Sequence, residues 1–429
     1  MRRRSLSVAW LVALWALACS EPAAKSTGAP SDHLDPTEAA VFPLSFEELP
    51  IDGEPELGTV IRFVPGRDEL LLLTQTGRIL RYALADGEFS LLDEAELPNV
   101  AGYDDCGLVS LAFDPAFADN GFVYFGHCTS GTSSSVTRYT WQGDTLDSML
   151  GSEVEVLAVG APASRRPWHN VGAIGFDRTG ALWAQFGEKT IQKNAQDASN
   201  KLGKLVRVLP DPEAPGGHRP APDNAWPDDE ARDPDVFALG FRSPWQGTYD
   251  AAHDRWLVGD VGADNIEELN LVTSAGQNFG WPTAEGPCNT EMVGDACAQL
   301  TDPIAHYLHA LRGRYVEEDA ETVPTTDRAV WVTGPLSALD EDDPYDGRLA
   351  GRFLFGDMFT GWVRLLEIDD DGNVSFDELV GHLRFATSWA QGPDGYLYGI
   401  RFGDYKGHSD DPRVRLYRAN PRGPSNAAP

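Results

Sequence analysis

Six times along this chain a turn rich in Asp, Gly or Pro opens into a strand of alternating aromatic and aliphatic residues. The units occupy residues 63–82, 113–126, 176–187, 249–262, 349–368 and 391–403. A short alternating strand cannot bury its apolar face alone, so repeated units must pack on one another. Six of them predict an all-β chain arranged as a radial array of four-stranded blades, a β-propeller, with a pair of packed sheets as the alternative. No sustained helical period runs through the body of the chain. The 43 Gly and 30 Pro suit many short strands joined by turns. The spacing of the units is uneven, which places long insertions at 210–234 and 316–346. In a propeller such loops gather on one face, where binding sites form.

The formal net charge of −32 excludes a basic stripe able to neutralise phosphates, so nucleic acid is not an expected partner, and an anionic membrane surface would repel the chain. Residues 1–18 read as a signal peptide. Arg2, Arg3 and Arg4 precede an apolar run from Leu6 to Leu17, which is too short to span a bilayer, and Ala16-Leu17-Ala18 forms a small-residue exit. Cys19 follows at once and heads a Pro-, Ala- and Ser-rich tether over 19–42. This is the arrangement of a lipoprotein held in the periplasm or cell envelope through Cys19, with plain secretion as the alternative. Apart from Cys19, four cysteines remain, an even number for an oxidising compartment. Cys288 and Cys297 share one loop and are expected to pair. Cys106 and Cys128 flank one strand–turn unit and would form a second bridge, although spacing leaves other pairings open.

The most informative stretch is 237–286, FALGFRSPWQGTYDAAHDRWLVGDVGADNIEELNLVTSAGQNFGWPTAEG. A strand that ends in glycine and leads into clustered carboxylates can present carbonyls and acid groups to a hard cation such as Ca²⁺. Upstream, His169 stands in HNVGAIGFDRTGALW. Glu188 follows in FGEKTIQKNAQDASNKLGKLVRV, where the segment after Glu188 reads as a structural loop leading back into a strand. The acidic run 367–378 (EIDDDGNVSFDE) approximates an EF-hand loop, but strand-like flanks make it a hairpin turn. His306 and His309 lack the glutamate of a zinc-protease motif, so packing is expected of them. No G-x-S-x-G elbow or P-loop is present.

Together these motifs resemble the soluble quinoprotein glucose/sorbosone dehydrogenase family. The resemblance covers most of the chain beyond the tether, within a single domain over 43–425. It is strong from His169 to Pro282 and weak after Tyr307. It implies a six-bladed β-propeller with long inter-strand loops on one face. It implies an oxidoreductase that uses pyrroloquinoline quinone (PQQ) and Ca²⁺ to oxidise an aldose-type sugar at its C1 hydroxyl. His169 would be the general base and Glu188 its orienting partner, where the family has Asp. Arg242 would hold the quinone, with Ser243 in place of an Asn. Asp105 would face substrate or quinone, and Arg384 would supply a cationic contact. The carbonyls of Gly262 and Ala263 would bind the catalytic Ca²⁺, and Glu267 and Glu268 a structural one. Phe359 stands where a family lysine is usual, and only Arg384 lies near a family pair of arginines. Two further readings therefore accompany the first. One is a non-enzymatic propeller that binds a sugar or a protein, and the other is a Ca²⁺-dependent lactonase.

Overall fold

The computed structural model describes residues 42–214, 216–309, 328–337, 343–403 and 412–421. They form six antiparallel sheets, one per repeated unit. Blade 1 runs through Gly58–Phe63, Glu69–Thr74, Arg78–Ala85 and Glu88–Glu96. Blade 2 holds Leu108–Phe113, Phe122–Ser130, Ser133–Thr140 and Val154–Gly160. Blade 3 begins with Val171–Phe176, Leu182–Phe186 and Lys204–Pro210. Its fourth position is shared by two short pieces, Val236–Leu239 and His218–Pro220, which pair with opposite ends of the third strand. Blade 4 is Pro244–Asp250, Arg255–Asp260, Ile266–Val272 and Ala305–Leu308. Blade 5 is Val330–Thr333, Phe353–Asp357, Trp362–Ile368 and Val374–His382.

Blade 6 closes the ring. Its strands Ala386–Gln391, Leu397–Arg401 and Arg415–Pro421 come from the C-terminal part of the chain, and its outer strand, Leu44–Leu49, comes from the start of the described residues. The first strands of the six blades touch their neighbours in a closed cycle, so they surround a common axis. Two packed sheets cannot produce that cycle, which removes the sandwich alternative.

The blades pack through a recurring pair. Trp183, Trp331 and Trp389 lie directly across from Gly175, Gly356 and Gly399 on the adjacent strand. Each indole is buried, and a Cβ on the facing glycine would meet it at 2.6, 2.3 and 2.6 Å respectively. The glycine supplies the space, and the indole fills it with a large apolar area. The acidic run 367–378 is the hairpin turn its flanks predict, closed by Asp369 N–H to Asn373 O at 2.9 Å. The 210–234 insertion sits at the outer edge of blade 3 and contributes nothing to the axial cavity, contrary to the expectation for a long loop.

Candidate functional site

All six blades present their first strand to the axis, and all six first strands begin at the same end. Thr59, Val109, Val171, Pro244, Ala329 and Thr387 lie at or beside those starting points, and together they line one cavity of about 410 Å³. In five of the six blades the pairing of the first and second strands slips near this end, between Gly58 and Val60, Leu108 and Ser110, Val171 and Ile174, Pro244 and Gly247, and Ala386 and Ser388. A bulge turns side chains that would lie between blades toward a site. The cavity wall mixes Trp168, Trp245, Phe359 and Phe402 with Arg242, Arg328, His309 and the acids Asp104, Asp105 and Asp264. Its size falls within the range of small-molecule sites.

His169 enters this cavity from the loop before blade 3. Its backbone is left-handed, with φ +56°, an uncommon conformation for a residue with a Cβ. Gly187 makes room for it, since a Cβ there would lie 2.6 Å from the His169 carbonyl carbon and oxygen. His169 Nδ1 meets Glu188 Oε1 at 2.5 Å. A carboxylate on Nδ1 fixes the proton there in the neutral ring, which leaves Nε2 as the basic nitrogen. Glu188 is 1% exposed, and its Oε2 has no hydrogen-bond partner among the described residues. The backbone holds Glu188 as well: its N–H donates to Arg242 O at 2.9 Å and its carbonyl accepts Asn194 Nδ2 at 3.1 Å. The segment after it behaves as the sequence suggested. Lys204 Nζ donates to the carbonyls of Asn194, Ala195 and Leu202 and staples the loop onto its strand.

Arg242 and Ser243 share one anchor. Their amides donate to the two oxygens of Asp260 at 2.8 and 2.7 Å. The Arg242 guanidinium lines the cavity, donates one N–H to Val261 O at 2.8 Å and lies over Trp281 at 5.6 Å. Burial, and then the neighbouring Glu268, push Asp260 well above the usual carboxylate range. Ser243, Asp105, Gly262 and Ala263 also line the cavity.

The expected calcium carboxylates do not converge. Glu267 Oε1 accepts from Gly262 N–H at 3.1 Å and meets His309 Nε2 at 2.7 Å, while Oε2 accepts Val330 N–H at 3.0 Å. Glu268 accepts from Gly286 N–H and from Asn270 Nδ2. The turn after Gly262 points its amides inward at Glu285, whose Oε1 accepts from Ala263, Asp264, Asn265 and Ile266. Oxygens already facing N–H donors are poorly placed to face a cation. No group of three or more His, Cys, Asp or Glu able to hold a metal occurs among the described residues.

Three other expectations are corrected. Arg384 does not line the cavity; its Nε donates to Phe359 O at 3.2 Å and its guanidinium lies 5.0 Å from the Phe385 ring centre. Cys106 and Cys128 are buried free thiols rather than a bridge, because Cys106 Sγ is turned to donate to Asn170 Oδ1 at 3.4 Å and Ser130 O at 3.5 Å. His309 lies against Glu267 as a packing residue should, but it also lines the cavity. The Cys288–Cys297 disulfide is present. Cys19 lies outside the described residues. Sequence reading missed Gln75, Asn170, Arg328 and Thr387. Only Asn170, next to His169, carried a local signal.

Comparison with known proteins fits this geometry. The glucose/sorbosone dehydrogenase family profile matches residues 58–401. The HIPL1 protein of Arabidopsis thaliana is 23% identical over 378 residues, covering 71% of this chain and 52% of that protein. The chain spans about half the length of this relative and of the HIPL2 protein from the same plant, which is 25% identical. The aldose sugar dehydrogenase YliI of Escherichia coli K12 is 22% identical, covering 84% of this chain and 89% of that one. Among solved structures, the PQQ-bound aldose sugar dehydrogenase of Streptomyces coelicolor superposes with a TM-score of 0.62 at 22% identity, covering 89% of this chain and 100% of the other. The apo soluble aldose sugar dehydrogenase of Escherichia coli gives 0.66 at 18% identity, with coverage of 88% and 100%. These likenesses establish the fold.

Proposed function

We propose, for a chain that belongs to the glucose/sorbosone dehydrogenase family, that it oxidises an aldose-type sugar at the C1 hydroxyl with PQQ as electron acceptor. We also place it outside the cytoplasm, tethered through a lipidated Cys19. The observation that carries the activity is the His169–Glu188 pair opening onto the axial cavity. His169 Nε2 takes the proton from the sugar hydroxyl. Glu188, buried against Nδ1, holds the ring and stabilises the imidazolium that results. The left-handed backbone at His169 and the close contact with Gly187 fix where that nitrogen lies.

The donor set suits a planar, carboxylate-bearing quinone. Arg242 brings a guanidinium able to meet carboxylates, Ser243 shares the same wall, and Trp168, Trp245, Phe359 and Phe402 give the space aromatic lining. When bound, PQQ supplies a two-electron acceptor for the hydride. Around it, this chain's residues hold, orient and deprotonate the sugar. The carboxylates do not suit the structural Ca²⁺ site that the family resemblance implies. Glu267, Glu268 and Glu285 all face N–H groups, and no step here is routed through calcium.

A second reading, a propeller that binds a sugar or protein without turnover, is favoured by the apolar Phe359 in the wall and by Arg384 lying outside it. One titration separates the readings. Purified full-length protein is titrated with PQQ and followed by absorbance, and dye reduction is measured on a panel of aldoses. Saturable binding with turnover supports the dehydrogenase. In that case His169→Ala should abolish turnover and leave PQQ binding largely intact, and an unchanged rate removes His169 as base. Absence of both binding and turnover leaves the binding propeller. Hydrolysis of lactones without PQQ would support a lactonase.

A further inference from the structure

Glu267 and His309 repeat at blade 4 the arrangement that Glu188 and His169 make at blade 3. Glu267 lies opposite Tyr307 in the sheet, so His309, two residues on, projects from the same face. His309 Nε2 meets Glu267 Oε1 at 2.7 Å, and Glu267 is 0% exposed. The carboxylate is held from two further sides: Oε1 accepts Gly262 N–H at 3.1 Å and Oε2 accepts Val330 N–H at 3.0 Å. The His309 backbone is fixed as well. Its N–H donates to Asn265 O at 2.8 Å, and Asn265 sits in the turn whose amides converge on Glu285. Gly262, Ala263 and Asp264 of that turn line the same cavity as His309.

Both Glu267 oxygens receive N–H groups, so the carboxylate accepts, and the neutral ring carries its proton on Nε2. Nδ1 is then a bare acceptor, and it has no hydrogen-bond partner among the described residues. The His309 side chain is 12% exposed and lines the cavity. Packing alone would be served by a phenyl ring, which needs no carboxylate behind it. The cavity therefore holds two imidazoles, each with one nitrogen on a buried carboxylate and the other open: Nε2 of His169 and Nδ1 of His309. Two fixed acceptors suit a ligand that carries several hydroxyl donors.

We propose that His309 Nδ1 accepts a hydrogen bond from a second, non-reacting hydroxyl of the bound sugar, and that Glu267 is the positioning residue that fixes the ring and its tautomer. No proton is transferred at His309 and no bond breaks there. A sugar held at two hydroxyls by two nitrogens cannot turn in the cavity, so the contact at His309 decides which hydroxyl reaches His169. Specificity follows, because a sugar that lacks the second hydroxyl leaves Nδ1 without water and without a partner. This assignment rests on the sugar reading of the cavity, and its test separates the two.

Binding is measured by calorimetry on purified full-length protein, with and without PQQ and with no dye to accept electrons. The probes are glucose, galactose and xylose, each with its monodeoxy analogues. In wild type at least one analogue should bind about 3–10-fold more weakly than its parent, the worth of one neutral hydrogen bond. His309→Ala should weaken the parent by the same factor and abolish the penalty for that analogue. His309→Asn puts an amide oxygen near the place of Nδ1 and gives up the Glu267 contact, and it should recover part of the affinity. In isotope-labelled protein the His309 imidazole, assigned with His309→Asn, should carry its proton on Nε2 and shift when the parent sugar binds. Deoxy penalties that carry over unchanged into His309→Ala, or equal losses in the two variants, overturn the contact. A proton on Nδ1 overturns the role of Glu267, and no binding by any of the three sugars overturns the whole assignment. Dye reduction on the aldoses without the deoxy coupling removes His309 and leaves the sugar reading standing. Coupling without dye reduction keeps His309 as a sugar contact and removes the dehydrogenase.

Discussion

Gly187→Ala adds one methyl group at the point where the His169 backbone crosses the strand end. The new Cβ would lie 2.6 Å from the His169 carbonyl carbon and oxygen and 2.7 Å from its Cβ, where ordinary contact begins at 3.4 Å. Main-chain atoms cannot rotate away, so one segment must move by about 0.8 Å. Gly187 does not have a positive φ, so the substitution tests space and not backbone conformation. A displacement near 1 Å at a reacting group is expected to cost about 10²-fold in rate. Overpacking should cost roughly 1–3 kcal/mol of stability. The assay is kcat for aldose oxidation with added PQQ, measured beside urea unfolding. Gly160→Ala is the control, because its Cβ would meet only Ser133 Oγ, at 3.3 Å. A Gly187→Ala enzyme within twofold of wild type would refute the claim that this contact sets the base.

Phe359→Lys places a cation in the cavity wall where the family resemblance expects one. A charge-assisted bond of about 1.5–3 kcal/mol should tighten PQQ binding by roughly 10–100-fold, and an unchanged titration would argue against a carboxylate-bearing ligand there. Burial raises Glu268 from the usual 4.5 to about 7. The folded state therefore keeps a proton that the unfolded chain releases. Stability from this group is fully present below pH 4.5 and is lost as pH rises through 7, by on the order of 3 kcal/mol. Glu268→Gln should flatten that slope in urea unfolding at pH 5 and 8, and added Ca²⁺ should not restore it; a Ca²⁺-dependent gain in wild type alone would reinstate the calcium site. Asp177 accepts Arg207 Nε at 2.8 Å and Nη2 at 2.7 Å, both residues being buried. Asp177→Asn leaves that guanidinium with the exposed Asp223 as its remaining anionic partner, at 2.9 Å, and should cost about 3 kcal/mol, and a loss below 1 kcal/mol in urea unfolding would contradict it.

Much of the fold was legible in the chain because its signals are local. Each repeated unit is a hairpin whose turn residues and period-two alternation lie within about twenty residues, so all six could be read without knowing what each packs against. His169, Glu188, Arg242 and Ser243 were legible through motif context, and all but Glu188 line the cavity, with Glu188 buried directly behind His169. The side-chain directions of Arg384, Glu267 and Glu268 were not legible, for one reason. Sequence places a charged residue near a site but not the direction of its side chain, and here each side chain has a nearer partner.

The sequence by itself determined the number of blades, the Cys288–Cys297 bridge and the residue types beside the proposed base. Those properties follow from short-range pattern and turn chemistry. Tertiary structure alone decided the site. Only when Leu44–Leu49 closes the sixth blade do the six first strands begin around one cavity. The bulges at that end, the left-handed His169 and the free thiols beneath Asn170 depend on which strands meet there. That meeting is a long-range packing outcome, and no single segment of the chain encodes it.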